Sequence, residues 1–236
     1  MNNQMEKLKK DMNKKKLTFI GHRGSGASTY LRKLNRPILA NDNSHEAFLI
    51  NRDKNVIIAE TDVRYFPRNK YENRLLITHD KVLNSKGLKM TNLNEYDIKF
   101  NVELKRSLKK HVKKYVNQVL SEINLEKVEF FSTFDHNIYK ELIENSQEVF
   151  YIFDEASYNK FIKYSQELNI KNIVFDSKLF DKMKSTLKNY SKVYMYGLEV
   201  NNLENIIKYS EYVTGLIVDD LDVKEKYEEI TKTNEK

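Results

Sequence analysis

The tetrapeptide Gly21-His22-Arg23-Gly24 closes the first apolar run of this 236-residue chain. Glu60 and Asp62 close the second run, His79 and Asp80 the third, and Glu103 and Lys105 the fourth. Residues two apart in a strand share one face, so Glu60 and Asp62 project together. Two carboxylates so placed repel and raise each other's pKa unless a cation lies between them. They read either as a solvent-facing acidic pair or as part of a site for one divalent cation, Mg2+ or Ca2+, because hard cations take carboxylate oxygen. Glu103, at another strand end, offers a third ligand. Arg23 and Lys105 flank these acids, one a planar fork and the other a point charge. Either could serve an ordinary salt bridge; beside carboxylates and a metal, both fit a phosphoester. His22 and His79 are the candidate acid/base pair, because imidazole as a side-chain type ionises near neutrality. A single histidine after an apolar run is ordinarily structural, but two at strand ends, each beside a charged residue, point to chemistry as readily. His45, His111 and His136 fall on helix faces and read as structural or exposed.

These residues need strands that end in one place. Short apolar runs occur at Leu17–Gly21, Val56–Val63, Arg74–Asp80, Lys99–Lys105, Val128–Phe134, Val149–Asp154, Asn172–Asp176, Lys192–Gly197 and Gly215–Asp220. Most are continuous rather than alternating, as in the buried strands of a parallel sheet. Amphipathic segments lie between them at 43–53, 106–124, 136–147, 156–169, 177–190, 202–211 and 222–232. Asn43 followed by Glu46 predicts a helix N-cap with its reciprocal acid, and Ser157 and Asp222 mark two other starts. The third run is the exception. Only about ten residues, among them Pro67, Asn69 and Asn73, separate it from the second, fewer than the dozen or so of a parallel crossover. It is therefore expected to return antiparallel. The other eight runs predict a (β/α)8 TIM barrel carrying a short β-hairpin arm after the second strand, over the C-terminal mouth where barrels place their chemistry. Between Asp80 and Lys99 only a short helical turn around Asn92–Tyr96 is expected, so the second barrel helix is stunted or replaced by a loop.

Composition agrees with one sizeable core. Apolar residues make up 40% of the chain, which has no Cys and no Trp. Disulfides and thiolate metal sites are thereby excluded. No apolar run approaches the roughly 18 residues of a membrane span, and the apolar stretch Leu17–Ile20 is too short for a secretory signal. The expectation is a soluble, cytoplasmic protein without stable membrane insertion: a basic extension over 1–16, one barrel domain over 17–232 and a tail over 233–236. The net charge of +7 mixes 41 basic with 34 acidic residues. That balance reads as a solvated Lys-rich surface or as attraction for an anionic substrate or membrane surface.

The motifs resemble a known family when taken in order: GHRG, Asp42-Asn43-Ser44 with Ala47 and Phe48, Glu60-x-Asp62-Val63, His79-Asp80, and Val102 to Lys105. The chain resembles the glycerophosphodiester phosphodiesterases, barrel enzymes of the phosphatidylinositol phospholipase C-like superfamily. Ser132-Thr133-Phe134-Asp135 and Gly215-Leu216-Ile217-Val218-Asp219 extend the similarity over nearly the whole chain. The resemblance implies that Glu60, Asp62 and Glu103 are metal ligands, His22 and His79 the general acid/base pair, and Arg23 and Lys105 phosphate contacts. It implies hydrolysis of small glycerophosphodiesters to sn-glycerol 3-phosphate and an alcohol, by attack of the neighbouring glycerol hydroxyl and opening of a cyclic phosphate.

The sequence departs from the family pattern in four places. Asn41-Asp42-Asn43-Ser44 carries a shorter acid. The segment Ser25 to Ala40 is long and brings Arg32, Lys33 and Arg36 near the mouth. The interval from His79 to Glu103 is short, so the capping insertion is reduced. Tyr194 and Tyr196 stand where a Trp is customary. Alternative readings are a lysophospholipase D-like or glycerol-phosphate-polymer phosphodiesterase and, outside enzymes, a basic barrel binding anionic polymers. No nucleic-acid motif is present.

Overall fold

The structure, a computed structural model, describes residues 16–67, 75–80 and 88–232. Residues 1–15 of the expected extension, the tail 233–236 and Arg74 lie outside the described residues. The described residues form ten strands: β1 (Thr18–Gly21), β2 (Ile58–Tyr65), β3 (Leu75–Ile77), β4 (Leu88–Lys89), β5 (Lys99–Leu104), β6 (Val128–Thr133), β7 (Val149–Phe153), β8 (Asn172–Asp176), β9 (Lys192–Tyr196) and β10 (Gly215–Val218). Eight of them, β1-β2-β5-β6-β7-β8-β9-β10, pair in parallel, and β1 meets both β2 and β10, which closes the ring. This is the predicted (β/α)8 barrel.

The helices are α1 (Ser28–Lys33), α2 (His45–Asp53), α3 (Val112–Glu122), α4 (His136–Glu144), α5 (Tyr158–Glu167), α6 (Phe180–Met183), α7 (Leu203–Ser210) and α8 (Asp222–Lys232). None is long and apolar enough to cross a membrane. The main core lies between the strands and these helices. A second, inner core of Ile20, Ile58, Phe130, Phe150, Ile152, Val174, Tyr194 and Ile217 fills the barrel itself. Phe130 and Phe150 meet there with ring centroids 4.1 Å apart. This plug forms the floor beneath the site. Strand side chains alternate, so one step above Ile20 comes His22, above Ile58 come Glu60 and Asp62, and above Tyr194 comes Tyr196.

As expected, the third run returns antiparallel as β3 on β2, and β4 adds a second antiparallel strand to the arm. A two-residue strand is too short to carry a periodicity that sequence could show. A 3-10 turn over Met90–Glu95 then stands where the second barrel helix would be. Three other local expectations need correction. The expected helix over 177–190 is broken into two 3-10 turns and the four-residue α6. Both the amide and the hydroxyl of Thr186 donate to the Met183 carbonyl and close a turn there, a side-chain competition that ends helices. The segment from 106 yields α3 only from Val112; Arg106, Ser107 and Leu108 belong to a loop. Finally, Ser44 rather than Asn43 caps α2, accepting from the Ala47 amide.

Candidate active site

Displaced from the cap, Asn43 turns inward. Its backbone is left-handed (φ 57°), a conformation asparagine tolerates. Its Nδ2 donates to Asp62 Oδ2 at 2.8 Å, and its Oδ1 accepts from the Thr61 hydroxyl and the Asp62 amide. Asp62 is thus held by Asn43 at both its carboxylate and its backbone amide. Neighbouring Asp42 accepts from the Ser28 amide and from Arg23 Nη1. Within the shortened segment, then, Asn43 orients an acid and Asp42 orients a cation.

The turn after β1 sets the other half of the site. Arg23 is also left-handed (φ 50°), which aims its own amide at Glu60 Oε2, 2.9 Å away. Its guanidinium reaches Asp42, with Nε 3.3 Å from Asp62 Oδ2. Gly26 (φ 105°) is packed so closely that a Cβ there would strike the Asp219 carbonyl. That contact brings the Ala27 amide onto Asp219 Oδ1. The same oxygen lies 2.8 Å from His22 Nδ1, and Asn201 braces Asp219 from behind. His22 Nε2 is left facing the cavity, 3.9 Å from Glu60 Oε2. Burial alone would lower the His22 pKa, but the charge and hydrogen bond of Asp219, with Glu60 behind them, hold it above its ordinary value.

β2 and β5 supply the acids. Their register aligns Glu60 with Asn101 and Asp62 with Glu103. Glu60, Asp62 and Glu103 are all buried, with one carboxylate oxygen from each within 4.8 Å of the others. Lys105 Nζ sits 2.6 Å from both Asp62 Oδ1 and Glu103 Oε1. Burial works against that ammonium, yet Glu103, Asp62 and Glu60 hold its pKa above the usual lysine range. Burial likewise opposes ionised Asp62, but Lys105 and Arg23 prevail and hold its carboxyl at about 2. Glu60 goes the other way: burial, with repulsion from Asp62 and Glu103, pushes it up to about 8 against the pull of His22 and Lys105. Its Oε1 is buried without a hydrogen-bond partner. Three carboxylates so close together, one of them with an unpartnered buried oxygen, fit a hard divalent cation.

His79 comes from the arm. It follows β3, is 39% exposed, and places Nδ1 2.8 Å from Asp80 Oδ1. Arg64 Nε donates to its carbonyl at 2.7 Å. A cavity of about 190 Å³ unites His22, Arg23, Glu60, His79, Glu103 and Lys105, with Asp62 lying beneath. Tyr30, Phe134 and Tyr196 form its apolar wall. A neighbouring polar cleft of about 420 Å³, lined by Asp42, Ser44, His45, Thr78 and Asp80, shares Arg23 and His79 with it. A bound molecule could therefore place an anionic centre over the cations and one arm in each recess.

The structure brings together all seven residues singled out from sequence. Of the other three histidines, His45 bonds the Tyr96 hydroxyl and lines the neighbouring cleft, whereas His111 lies near Tyr65 and His136 stacks on Tyr164, both outside the two recesses. Sequence reasoning missed the roles of Asp219, Asn201, Asp42, Asn43 and Tyr30. Asp42, Asn43 and Asp219 carried a signal as members of the ordered motifs, Asp219 as a carboxylate at the end of the last apolar run.

The buried proton on Glu60 gives a test in excess chelator. The folded state holds this proton up to about 8, whereas the unfolded chain releases it near 4.5. Its stabilising effect is thus complete below the unfolded value and lost as pH rises through the folded one. The melting temperature of the metal-free protein should fall by several degrees over that window. Glu60→Gln should remove most of the fall, leaving the slope from His22, whose raised pKa acts in the same direction. Parallel profiles for the two proteins would place the buried proton elsewhere.

No protein-family model matches the sequence, and a search of curated proteins finds no match. Solved structures do match over nearly the whole chain. A glycerophosphodiester phosphodiesterase from Parabacteroides distasonis is 16% identical with TM-score 0.68, covering 95% of this chain and 100% of that one. A phosphodiesterase from Oleispira antarctica, in complex with the product sn-glycerol-3-phosphate, is 16% identical with TM-score 0.63, covering 91% and 96%. A glycerophosphodiester phosphodiesterase from Agrobacterium tumefaciens is 12% identical with TM-score 0.60, covering 92% and 100%. The fold of this chain is the fold of the glycerophosphodiester phosphodiesterases.

Proposed function

We propose that this protein hydrolyses glycerophosphodiesters to sn-glycerol 3-phosphate and an alcohol. One observation carries the reading: two imidazoles, two cations and a carboxylate trio meet at a single mouth of a fold shared with such enzymes. Arg23 and Lys105 bind the phosphodiester. An ammonium has three donors; Asp62 and Glu103 engage two of them, which leaves one for a phosphate oxygen. His22 and His79 form the base and acid. One accepts the proton of the glycerol hydroxyl that attacks phosphorus, the other protonates the departing alcohol, and the roles reverse when water opens the cyclic phosphate. Asp219 fixes the tautomer of His22 so that Nε2 meets substrate. Glu60, Asp62 and Glu103 are the residues that would hold Mg2+ or Ca2+, an ion that supplies Lewis-acid polarisation of a phosphoryl oxygen when bound.

The two recesses meeting over Arg23 and His79 suit a diester with an alcohol on each side. The reaction is tested by incubating the protein, with divalent cation, with glycerophosphodiesters of different head groups, glycerol-phosphate oligomers and lysophospholipids. Release of glycerol 3-phosphate from at least one small diester is expected. Release from none of them sinks the proposal, and release only from lipid or polymer would replace the small-substrate reading.

A further inference from the structure

Eight large apolar side chains are exposed among the described residues. Four of them stand on loops that leave the C-terminal ends of ring strands: Ile38 (40%) and Leu39 (48%) after β1, Leu108 (64%) after β5 and Phe134 (38%) after β6. That end of the barrel is where the cavity opens. β1, β2, β5 and β6 are consecutive around the ring, so these loops occupy one arc of the mouth.

The arm after β2, which lies between these loops, adds the exposed Asp80 beside His79. On the loops after β1, β5 and β6 the exposed charges are one-sided. Arg32, Lys33, Arg36, Arg106, Lys109 and Lys110 are exposed. The two acids of these loops face inward: Asp42 holds Arg23, and Asp135 is buried as the cap of α4. Arg36 pairs with Asp220, and Arg106 stands 3.8 Å from Asp135. Arg32, Lys33, Lys109 and Lys110 have no carboxylate partner among the described residues. The facing arc, after β7 and β8, instead presents Asp154, Glu155 and Asp176 with Lys178.

Exposed apolar side chains set among cations, most of which have no carboxylate partner among the described residues, match an anionic lipid interface. The apolar groups gain by entering the headgroup boundary, and the cations gain from the negative surface potential. Single-stranded nucleic acid is a poorer match, since it needs aromatic faces for stacking and three of these four side chains are aliphatic. We propose that the β1–β6 arc of the mouth docks on the surface of an anionic lipid bilayer, with Ile38, Leu39, Leu108 and Phe134 entering the headgroup region. The cavity would then face the membrane. This inference stands independently of the hydrolytic reading.

The test is sedimentation of the full chain with vesicles of phosphatidylcholine, with and without phosphatidylglycerol. Binding is expected only to the anionic vesicles and should weaken with salt as screening shortens the reach of the surface charge. Lys109→Ser with Lys110→Ser should weaken it roughly thirtyfold, given the typical worth of each cation near such a surface. Leu39→Ser with Leu108→Ser should weaken it several-fold. Both double variants should keep the wild-type circular dichroism and melting temperature. His22→Ala should bind vesicles as wild type does, so the outcome is independent of catalysis. Absence of anionic-vesicle binding, or binding indifferent to either double variant, overturns the proposal. So does equally tight binding of single-stranded RNA that is lost with the lysine pair and kept with the leucine pair.

Discussion

His22→Ala and His79→Ala are each expected to lower turnover of a glycerophosphodiester at least about a hundredfold, the lower end of what a positioned acid or base contributes. The two should differ in everything else. His22 is mostly buried and anchors a chain of contacts through Asp219 to the Ala27 amide and Asn201, so its removal should also lower the melting temperature. His79 is partly exposed and, among the described residues, its ring bonds its neighbour Asp80, so its removal should leave stability within about 0.5 kcal/mol of wild type, as is usual for surface positions. A fall in activity without a fall in stability at His79 therefore speaks for chemistry. Asp219→Asn refines the assignment. It keeps an acceptor beside Nδ1 but removes the charge that raises the His22 pKa, so the limb of the pH–rate profile that reports His22 should move to lower pH. Release of glycerol 3-phosphate, measured across pH for the three variants, checks these statements. Near-normal rates for both alanine variants would remove the histidines from the mechanism.

The barrel and the seven charged or imidazole residues were legible in sequence for a physical reason. A parallel barrel buries its strands on both faces, so they read as short apolar runs. Polar residues toward the C-terminal end of each ring strand must then lie at the mouth, a rule that His22, Glu60, Asp62, Glu103 and Lys105 follow; His79 instead follows β3 of the arm, which returns antiparallel on β2. Side chains whose part depends on a neighbour distant in sequence were not legible in this way. Asn43 has the composition and spacing of an N-cap, and only the left-handed turn that points it at Asp62 shows otherwise. Asp219 looked like the polar end of a last strand; its pairing with His22 joins residues 197 apart in sequence. α1 was hidden because six residues with no side-chain cap leave little periodicity, yet it delivers Tyr30 to the cavity wall.

Excess chelator is expected to abolish hydrolysis, with Mg2+ or Ca2+ restoring it, and the carboxylate trio is the reason. Lys105 and Arg23 already neutralise much of the negative charge of Asp62 and Glu103, and Asp62 stays ionised down to about 2. What remains unbalanced is Glu60, whose buried carboxyl rises to about 8 and whose Oε1 has no partner. A divalent cation would take the place of that proton, so affinity for it should fall as pH drops below about 8. Glu60→Gln, Asp62→Asn and Glu103→Gln should each weaken the metal response. Activity alone would not separate loss of the ion from loss of a positioned acid, so the second readout is thermal. A ligand that binds only the folded state stabilises it by about 2.7 kcal/mol at a hundredfold excess over its Kd, and that rise in melting temperature should shrink or vanish in the three variants. Full turnover in excess chelator, together with a melting temperature blind to Mg2+ and Ca2+, would mean that Arg23 and Lys105 alone supply the positive charge at the phosphoester, with Glu60 serving as a protonated donor.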